Sequence, residues 1–330
     1  MSAATRWLLS AGLLIFIAVL ATQGLPTVLS TLALAGFGLV PVALYHLVPL
    51  VIDAAAIRVL LAETTAGGMR DAVLARWVGE SANSLMPAGQ LGGPVLMARH
   101  LAVRGLAVPQ AAAAVIVSTT LQTFAQIGFA LVGLALLGAQ ASHASRDAVR
   151  TSTLIASAFL GLQIVGFYFA QRRGLFGRLI RAASRLMGGR DLSEWMSHAE
   201  AIDLAIENSY RRAGPAALSF ALSSLGWLVG TVEVYWILDL IGWRVTWMNA
   251  LLLESIGQAI RGAAFAVPGA LGVQEGGYML LASLVGLPSH AGLALSLAKR
   301  AREILLGVPG LIYLHLSERA GANAVRAAPR

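Results

Sequence analysis

Long apolar runs, separated by short polar stretches, dominate this sequence. A helix needs about 20 apolar residues to cross the roughly 30 Å hydrocarbon core of a bilayer. Such runs cover residues 28–61, 109–138, 151–170, 214–241 and 288–316, after a shorter run at 7–21. The pattern predicts an all-α, polytopic transmembrane helical bundle. We interpret the first run as an uncleaved helix because another apolar run follows almost at once; a signal peptide is the alternative.

Proline and glycine interrupt this pattern twice. Residues 72–104 form two apolar arms of about 15 residues, too short to cross the core as helices. A turn with Pro and Gly separates the arms, which predicts a re-entrant hairpin. Residues 248–287 repeat the arrangement, and a helix opened by Pro109 or Pro288 follows each hairpin. The predicted turn residues are Pro87, Gly89, Gly92, Pro268, Gly269 and Gly272.

The distribution of arginine predicts the topology. Residues 172–213 mix many arginines with apolar residues, which is typical of a cytoplasmic amphipathic helix. The same rule places both termini in the cytoplasm and opens the two hairpins to opposite sides. The two units would then be inverted repeats, which indicate a transport site near the bilayer midplane. The alternative is that Pro and Gly are simply common in membrane helices.

Composition supports one membrane domain over residues 1–330. The chain is 57% hydrophobic and 12% charged, whereas soluble domains carry about 25% charged residues. We divide it into a first half (1–171), the Arg-rich segment (172–213), a second half (214–316) and a tail (317–330). The net charge of +8 fits this topology better than nucleic-acid binding. The sequence has no cysteine and predicts no metal site and no cofactor.

Ionisable residues at membrane depth are candidate functional residues because their insertion costs about 2.5 to 3.5 kcal/mol each. Two groups belong to the hairpin units, and we predict that they bind substrate. For the first hairpin the alternative is a local Arg76–Glu80 ion pair that only stabilises the arm. For the second hairpin the alternative is a scaffolding role. Tyr45, His46 and Asp53 could line the same cavity, take part in a proton-coupled step or be structural. The hairpin candidates are Glu80, Asn83, Gln90, Glu254, Gln258, Arg261, Gln274 and Glu275.

The third group lies inside the last long helix. Lys299 is about 17 Å along the helix that Pro288 opens, which is near the middle of a bilayer. Cations at this depth would suit a phosphate or polyhydroxyl lipid headgroup, because guanidinium groups bind phosphate oxygens in pairs. The alternative is a helix break that leaves these residues at the water interface. The group comprises Lys299, Arg300, Arg302 and Glu303, so one internal acid answers three cations.

Glu80 and Arg261 occupy equivalent places, each seven residues before the hairpin proline. A two-fold axis in the membrane plane would bring them together, so we predict that they form an ion pair across the hairpin interface. The competing interpretation keeps each charge within its own arm, as Arg76 with Glu80 and Glu254 with Arg261.

Three segments carry a family resemblance: GESANSLMPAGQLGG, SIGQAIRGAAFAVPGALGVQEGG and ALSLAKRAREILLGVPG. They resemble the transmembrane region of lysylphosphatidylglycerol synthases and their flippase-like relatives, most of all the hopanoid-biosynthesis-associated proteins called HpnL. The resemblance extends from about Tyr45 to Leu316 and implies lipid translocation. Gln90 and Pro94 stand where many relatives carry arginine and glutamate. The synthases also have a soluble aminoacyl-transferase domain, and with only about a dozen residues after the last helix, aminoacylation is not expected here.

We therefore expect a multi-pass protein of the bacterial inner membrane that moves a polar-headed lipid, with a hopanoid among the candidates. Its partners would be the bilayer, the lipid substrate and lipid-biosynthesis enzymes, and no nucleic acid. The alternatives are a membrane-embedded lipid-modifying enzyme, although no acid lies in a recognisable catalytic motif, and a scaffold for lipid-synthesis enzymes.

A cysteine at Ser184 tests the topology, since the chain has no native cysteine. We expect an impermeant thiol reagent outside intact cells to leave it unlabelled, because the Arg-rich segment stays in the cytoplasm. A cysteine at Arg244, on the predicted outer side, should be labelled. Labelling of the Ser184→Cys variant from outside would refute this topology.

Overall fold

A computed structural model describes residues 35–61, 68–86, 92–140, 165–186, 193–264 and 270–327, with a few isolated positions. Within these ranges the regular secondary structure is helical, as predicted. The predicted first helix at 7–21 and nine positions of the run at 151–170 lie outside the described residues. The helices are α1 Leu39–Tyr45, α2 Leu47–Arg58, α3 Met69–Leu85, α4 Gly92–Val103, α5 Val108–Gln140, α6 Leu175–Leu186, α7 Ser193–Arg211, α8 Ala213–Leu240, α9 Trp247–Ala263, α10 Val273–Leu284 and α11 Ser289–Ala327.

Three segments of the described chain are long and apolar enough to cross a membrane. They are Gly36–Arg58, Val108–Ala139 and Ala213–Leu240, of 23, 32 and 28 residues. Each coincides with a predicted span. The first comprises α1 and α2, which meet at His46, close to a proline at position 49 that lacks the N–H needed for the helical hydrogen bond to Tyr45.

The same order of helix lengths occurs in both halves. Helices α3 and α9 each have 17 residues, α4 and α10 each have 12, and the long helices α5 and α11 follow them. A 17-residue helix is about 25 Å long, which is less than the thickness of the core. The predicted arms are therefore present as helices, while Pro87, Gly89, Gln90, Pro268 and Gly269 lie outside the described residues.

Two apolar clusters form the packed interior. One joins Val234 and Ile237 of α8 to Leu253 of α9 and to residues of α10 and α11. The other joins Ala75 of α3 and Leu101 of α4 to α2, α5 and α7. Each hairpin unit thus packs in its own cluster, and α11 also packs along α3, where the Trp77 indole N–H donates to the Leu306 carbonyl at 2.8 Å.

The Arg-rich segment forms α6 and α7. Helix α6 exposes both Leu179 and arginines, as an interfacial amphipathic helix requires. The Asp203 carboxylate of α7 accepts hydrogen bonds from two N–H groups in the first turn of α6, at 3.1 and 2.8 Å. Burial raises the pKa of Tyr210 to about 12, so its hydroxyl stays protonated and donates to Gln171 at 2.9 Å, which in turn donates to Thr120 of α5. These contacts fix the segment to the bundle.

The closest approach of α10 and α11 depends on Gly292. A Cβ atom there would overlap the Tyr278 backbone carbonyl, which cannot move aside. We expect Gly292→Ala to lower the unfolding free energy by about 1–3 kcal/mol, as overpacking does, measured by thermal unfolding in detergent. Gly128→Ala is the control because no atom lies within 4 Å of its Cβ position. Equal effects of both substitutions would contradict this packing.

Candidate functional site

A polar cavity of about 200 Å³ lies inside the bundle. Seven helices line it: α2, α3, α4, α5, α8, α9 and α11. Its charged lining residues are Asp53, Arg76, Glu80, Glu233, Glu254, Arg261 and Arg302, and His46 lies among them. In an otherwise apolar chain, this is where charges are concentrated within the described bundle.

His46 lies between two carboxylates at the break between α1 and α2. Its Nε2 is 2.7 Å from Glu80 of α3, and its Nδ1 is 2.8 Å from Glu233 of α8. The Arg302 guanidinium of α11 contacts the imidazole and donates to Glu233 at 3.0 Å. Four elements of the bundle therefore meet at this histidine.

A second group joins α2, α3 and α5. Arg76 donates to Asp53 at 2.7 Å and to the Gln122 side-chain oxygen at 3.2 Å. Gln122 also donates to Asp53 at 2.7 Å, and Arg76 lies 4.0 Å from Glu80. The Arg76–Glu80 pair within one arm thus exists, but Asp53 is the closer partner of Arg76.

The cations of α11 pair with acids of the second hairpin unit. Lys299 donates to Glu254 at 2.6 Å, and Gln258 donates to the other oxygen of that carboxylate at 2.8 Å. Arg300 donates to Glu275 at 2.7 Å. Glu275 also accepts the backbone N–H of Gly272 at 2.7 Å, where a φ of +78° favours glycine.

Glu303 links these groups to α9 and α3. It forms an ion pair with Arg261, lies 3.5 Å from Arg302 and lies 3.6 Å from Arg300. Arg261 also reaches Ser84 of α3 at 3.5 Å, so the two hairpin units do touch here. The predicted Glu80–Arg261 ion pair is replaced by pairs to His46 and Glu303 among the described contacts. Glu254 pairs with Lys299, so the alternative Glu254–Arg261 pair is also replaced among the described contacts.

We call these side chains the charge network. It contains six carboxyl groups, five permanent cations and one histidine. One chain of ion pairs from Asp53 to Glu275, together with the separate Lys299–Glu254 pair, keeps nearly all of this charge compensated inside the bundle. The members are Asp53, Glu80, Glu233, Glu254, Glu275 and Glu303, then Arg76, Arg261, Lys299, Arg300 and Arg302, and finally His46.

Exposure separates the network into a surface that faces the cavity and a buried frame. The side chains of Glu80, Arg76 and Arg261 keep 27, 18 and 17% of their area accessible. Lys299 and Glu254 keep only 2 and 4%. The groups best placed to touch a ligand are therefore on α3 and α9, while Lys299 and Arg300 of α11 do not line the cavity and support the wall behind them.

The structure contradicts one alternative and corrects one expectation about α11. The helix runs unbroken from Ser289 to Ala327, so no break carries Lys299 to a water interface. The three cations are answered by acids from α8, α9 and α10 as well as by Glu303. We expected Glu303 alone to compensate the three cations, because the sequence does not reveal contacts between helices.

The other predicted site residues have varied positions. Asn83 accepts the Gly93 N–H at 2.9 Å and lines the cavity together with Gln258, whereas Gln274 is buried against Ser296. Pro94, where the resemblance leads us to expect glutamate, also lines the cavity, so that acid is missing from the wall. The roles of these residues in substrate binding stay predictions.

Sequence reasoning missed two parts of the site. Glu233 is 1% exposed and central to the network, and an acid within an apolar run was a sufficient signal. Thr119, Gln122, Thr123 and Gln126 form a polar face of α5, at spacings of three and four residues that place them on one side of the helix. We searched the sequence for ionisable residues at membrane depth. Because α5 contains none, its polar face was not identified.

Several membrane-length helices around a buried charge network define a polytopic membrane protein. The family model for the lysylphosphatidylglycerol synthase transmembrane region matches residues 5–310, and the chain belongs to this family. Comparisons with curated proteins and with solved structures gave no match. Family membership confirms the resemblance carried by the hairpin and KRARE segments.

The Lys299–Glu254 pair should be strongly coupled. Removing one partner of a buried ion pair costs about 3–5 kcal/mol, so we expect Lys299→Met and Glu254→Gln each to lower stability by about that amount. The double variant should lose less than the sum, as measured by unfolding of all four proteins in detergent. The exposed Arg211–Glu207 pair of α7 is the control, with an expected coupling of about 0.3–0.5 kcal/mol. Additive effects at Lys299 and Glu254 would show that the pair does not form.

Proposed function

We propose that this protein moves a polar-headed lipid across the inner membrane, with the headgroup in the central cavity and the hydrocarbon part in the bilayer. The observation that carries this proposal is a cavity lined by charges within a bundle of membrane-length helices. Charged side chains at membrane depth are costly and typically face a polar pathway. Membership in the family of the lysylphosphatidylglycerol synthase transmembrane region agrees with a lipid substrate.

The chemistry of the cavity suits a headgroup with phosphate or several hydroxyl groups. Arg76 and Arg261 present partly accessible guanidinium groups, which bind phosphate oxygens in pairs. The polar face of α5 adds amide and hydroxyl groups that both donate and accept hydrogen bonds. A hopanoid with a polyhydroxylated side chain and a phospholipid both meet these requirements, so both belong in the assay.

We further propose that α3–α4 and α9–α10 are re-entrant hairpins related as inverted repeats. Their matched lengths of 17 and 12 residues support this relation, as does the contact of Arg261 with Ser84. Alternating access would then arise from movement of one unit against the other around the cavity. Lys299 and Arg300 keep their proposed place in the site by holding the second unit against α11, and Arg302 keeps its place by holding α11 against α8.

Reconstitution into liposomes with fluorescent lipids tests this function. The purified protein should speed the movement of at least one lipid between leaflets relative to protein-free liposomes. Arg76→Gln should slow it about tenfold or more, because a hydrogen bond to a charged group contributes about 1.5–3 kcal/mol. Thr119→Phe, which narrows the cavity without removing a charge, should also slow it.

Arg104→Gln is the matched control. Arg104 is also a paired arginine, 3.6 Å from Asp71, but it is partly exposed and does not line the cavity. Its loss should leave lipid movement unchanged. A folded protein that moves no phospholipid or hopanoid faster than empty liposomes would refute the proposal.

A further inference from the structure

His46 has more hydrogen-bond partners than any one protonation state of its imidazole can satisfy. A carboxylate only accepts hydrogen bonds, and a neutral imidazole has one N–H. Both ring nitrogens nevertheless lie within hydrogen-bond distance of a carboxyl group, at 2.7 Å from Glu80 and 2.8 Å from Glu233. A neutral imidazole donates to one carboxylate and can accept from Arg302 at its other nitrogen, since Arg302 Nη1 contacts the ring as well. Hydrogen bonds to both carboxylates form only if the imidazole is doubly protonated or if one carboxyl group is protonated.

The net charge of the charge network also favours one additional proton. Its six carboxyl groups exceed its five permanent cations by one, so a proton on His46 would make it neutral. Burying a net charge in an apolar bundle is costly, and proton uptake is the usual way to avoid it. His46 is the residue best placed to bind this proton, because a carboxyl group lies at each of its ring nitrogens.

The helices that pack on α1 and α2 determine the charge around His46. Helix α3 presents Glu80 and Arg76, α8 presents Glu233, α11 presents Arg302, and α2 itself carries Asp53. Helix α5 has no charged side chain. Arg302 opposes a proton on His46, while both carboxylates favour it.

We propose that His46, Glu80 and Glu233 form a proton-binding site that couples lipid movement to the proton gradient. With the proton, His46 ties α3 of the first half to α8 of the second half. Without it, one carboxylate faces a ring lone pair, and one of the two connections breaks. The missing helical hydrogen bond at Pro49 gives α1 and α2 a point of local movement beside the site. This inference rests on the proposed function for its coupling step, but not for proton binding.

Nitrogen-15 spectra of the histidine side chains test proton binding directly, using the whole protein in lipid nanodiscs. His46→Gln identifies the resonances of His46, and His290→Gln, outside the cavity, should leave them in place. We expect them to shift in one step between about pH 5 and pH 8, because titration of any of the three groups alters hydrogen bonds to the ring. Resonances that stay constant over this range would overturn the proposal.

Liposomes with an imposed pH gradient test the coupling. The gradient should speed lipid movement in one direction for the wild type, and this response should be lost in Glu80→Gln and His46→Gln. Equal wild-type rates with and without the gradient would overturn the coupling. If no lipid moves under either condition, the proposed function fails, and the resonance measurement alone then decides whether the proton site exists.

Discussion

Charge compensation inside an apolar bundle is the constraint on which this structure depends. A buried carboxylate or guanidinium group without a partner costs several kcal/mol, so each such side chain fixes the position of another helix. Lys299 fixes α11 against α9, Arg300 fixes it against α10, and Arg302 fixes it against α8. Because ion pairs need short distances, glycines allow the backbones to approach, as at Gly292. The apolar clusters then fill the space around this frame.

The same constraint is met less completely at the cavity wall than in the buried frame. A frame needed for stability alone could pair its charges completely and exclude water. Here Glu80, Arg76 and Arg261 keep part of their surface accessible, and Glu233 Oε1 and Arg302 Nε have no hydrogen-bond partner among the described residues. Such groups retain the capacity to bind water, a headgroup or a proton. Under the proposed function, the buried frame would supply stability and the partly open surface would supply binding.

Much of the fold could be predicted from the sequence because its signals are local. Pro109 and Pro288 mark the starts of α5 and α11, and the apolar runs mark the membrane-length helices. The partners of charged residues could not be predicted, since Lys299 and Glu254 are 45 residues apart and meet only through tertiary packing. Equivalent spacing before two prolines suggested a Glu80–Arg261 pair, but symmetry in the sequence does not fix which neighbour is nearer. Glu233 could have been identified from its place in an apolar run.

The most direct test of a headgroup-binding cavity is native mass spectrometry of the protein with its co-purified lipid. The wild type should retain a lipid after mild detergent extraction. Thr123→Trp, which fills the cavity from α5, should lose it, whereas Gly128→Trp on the same helix, with open space beside it, should keep it. Equal lipid retention by all three proteins would contradict the account, because binding would then occur on the outer surface of the bundle.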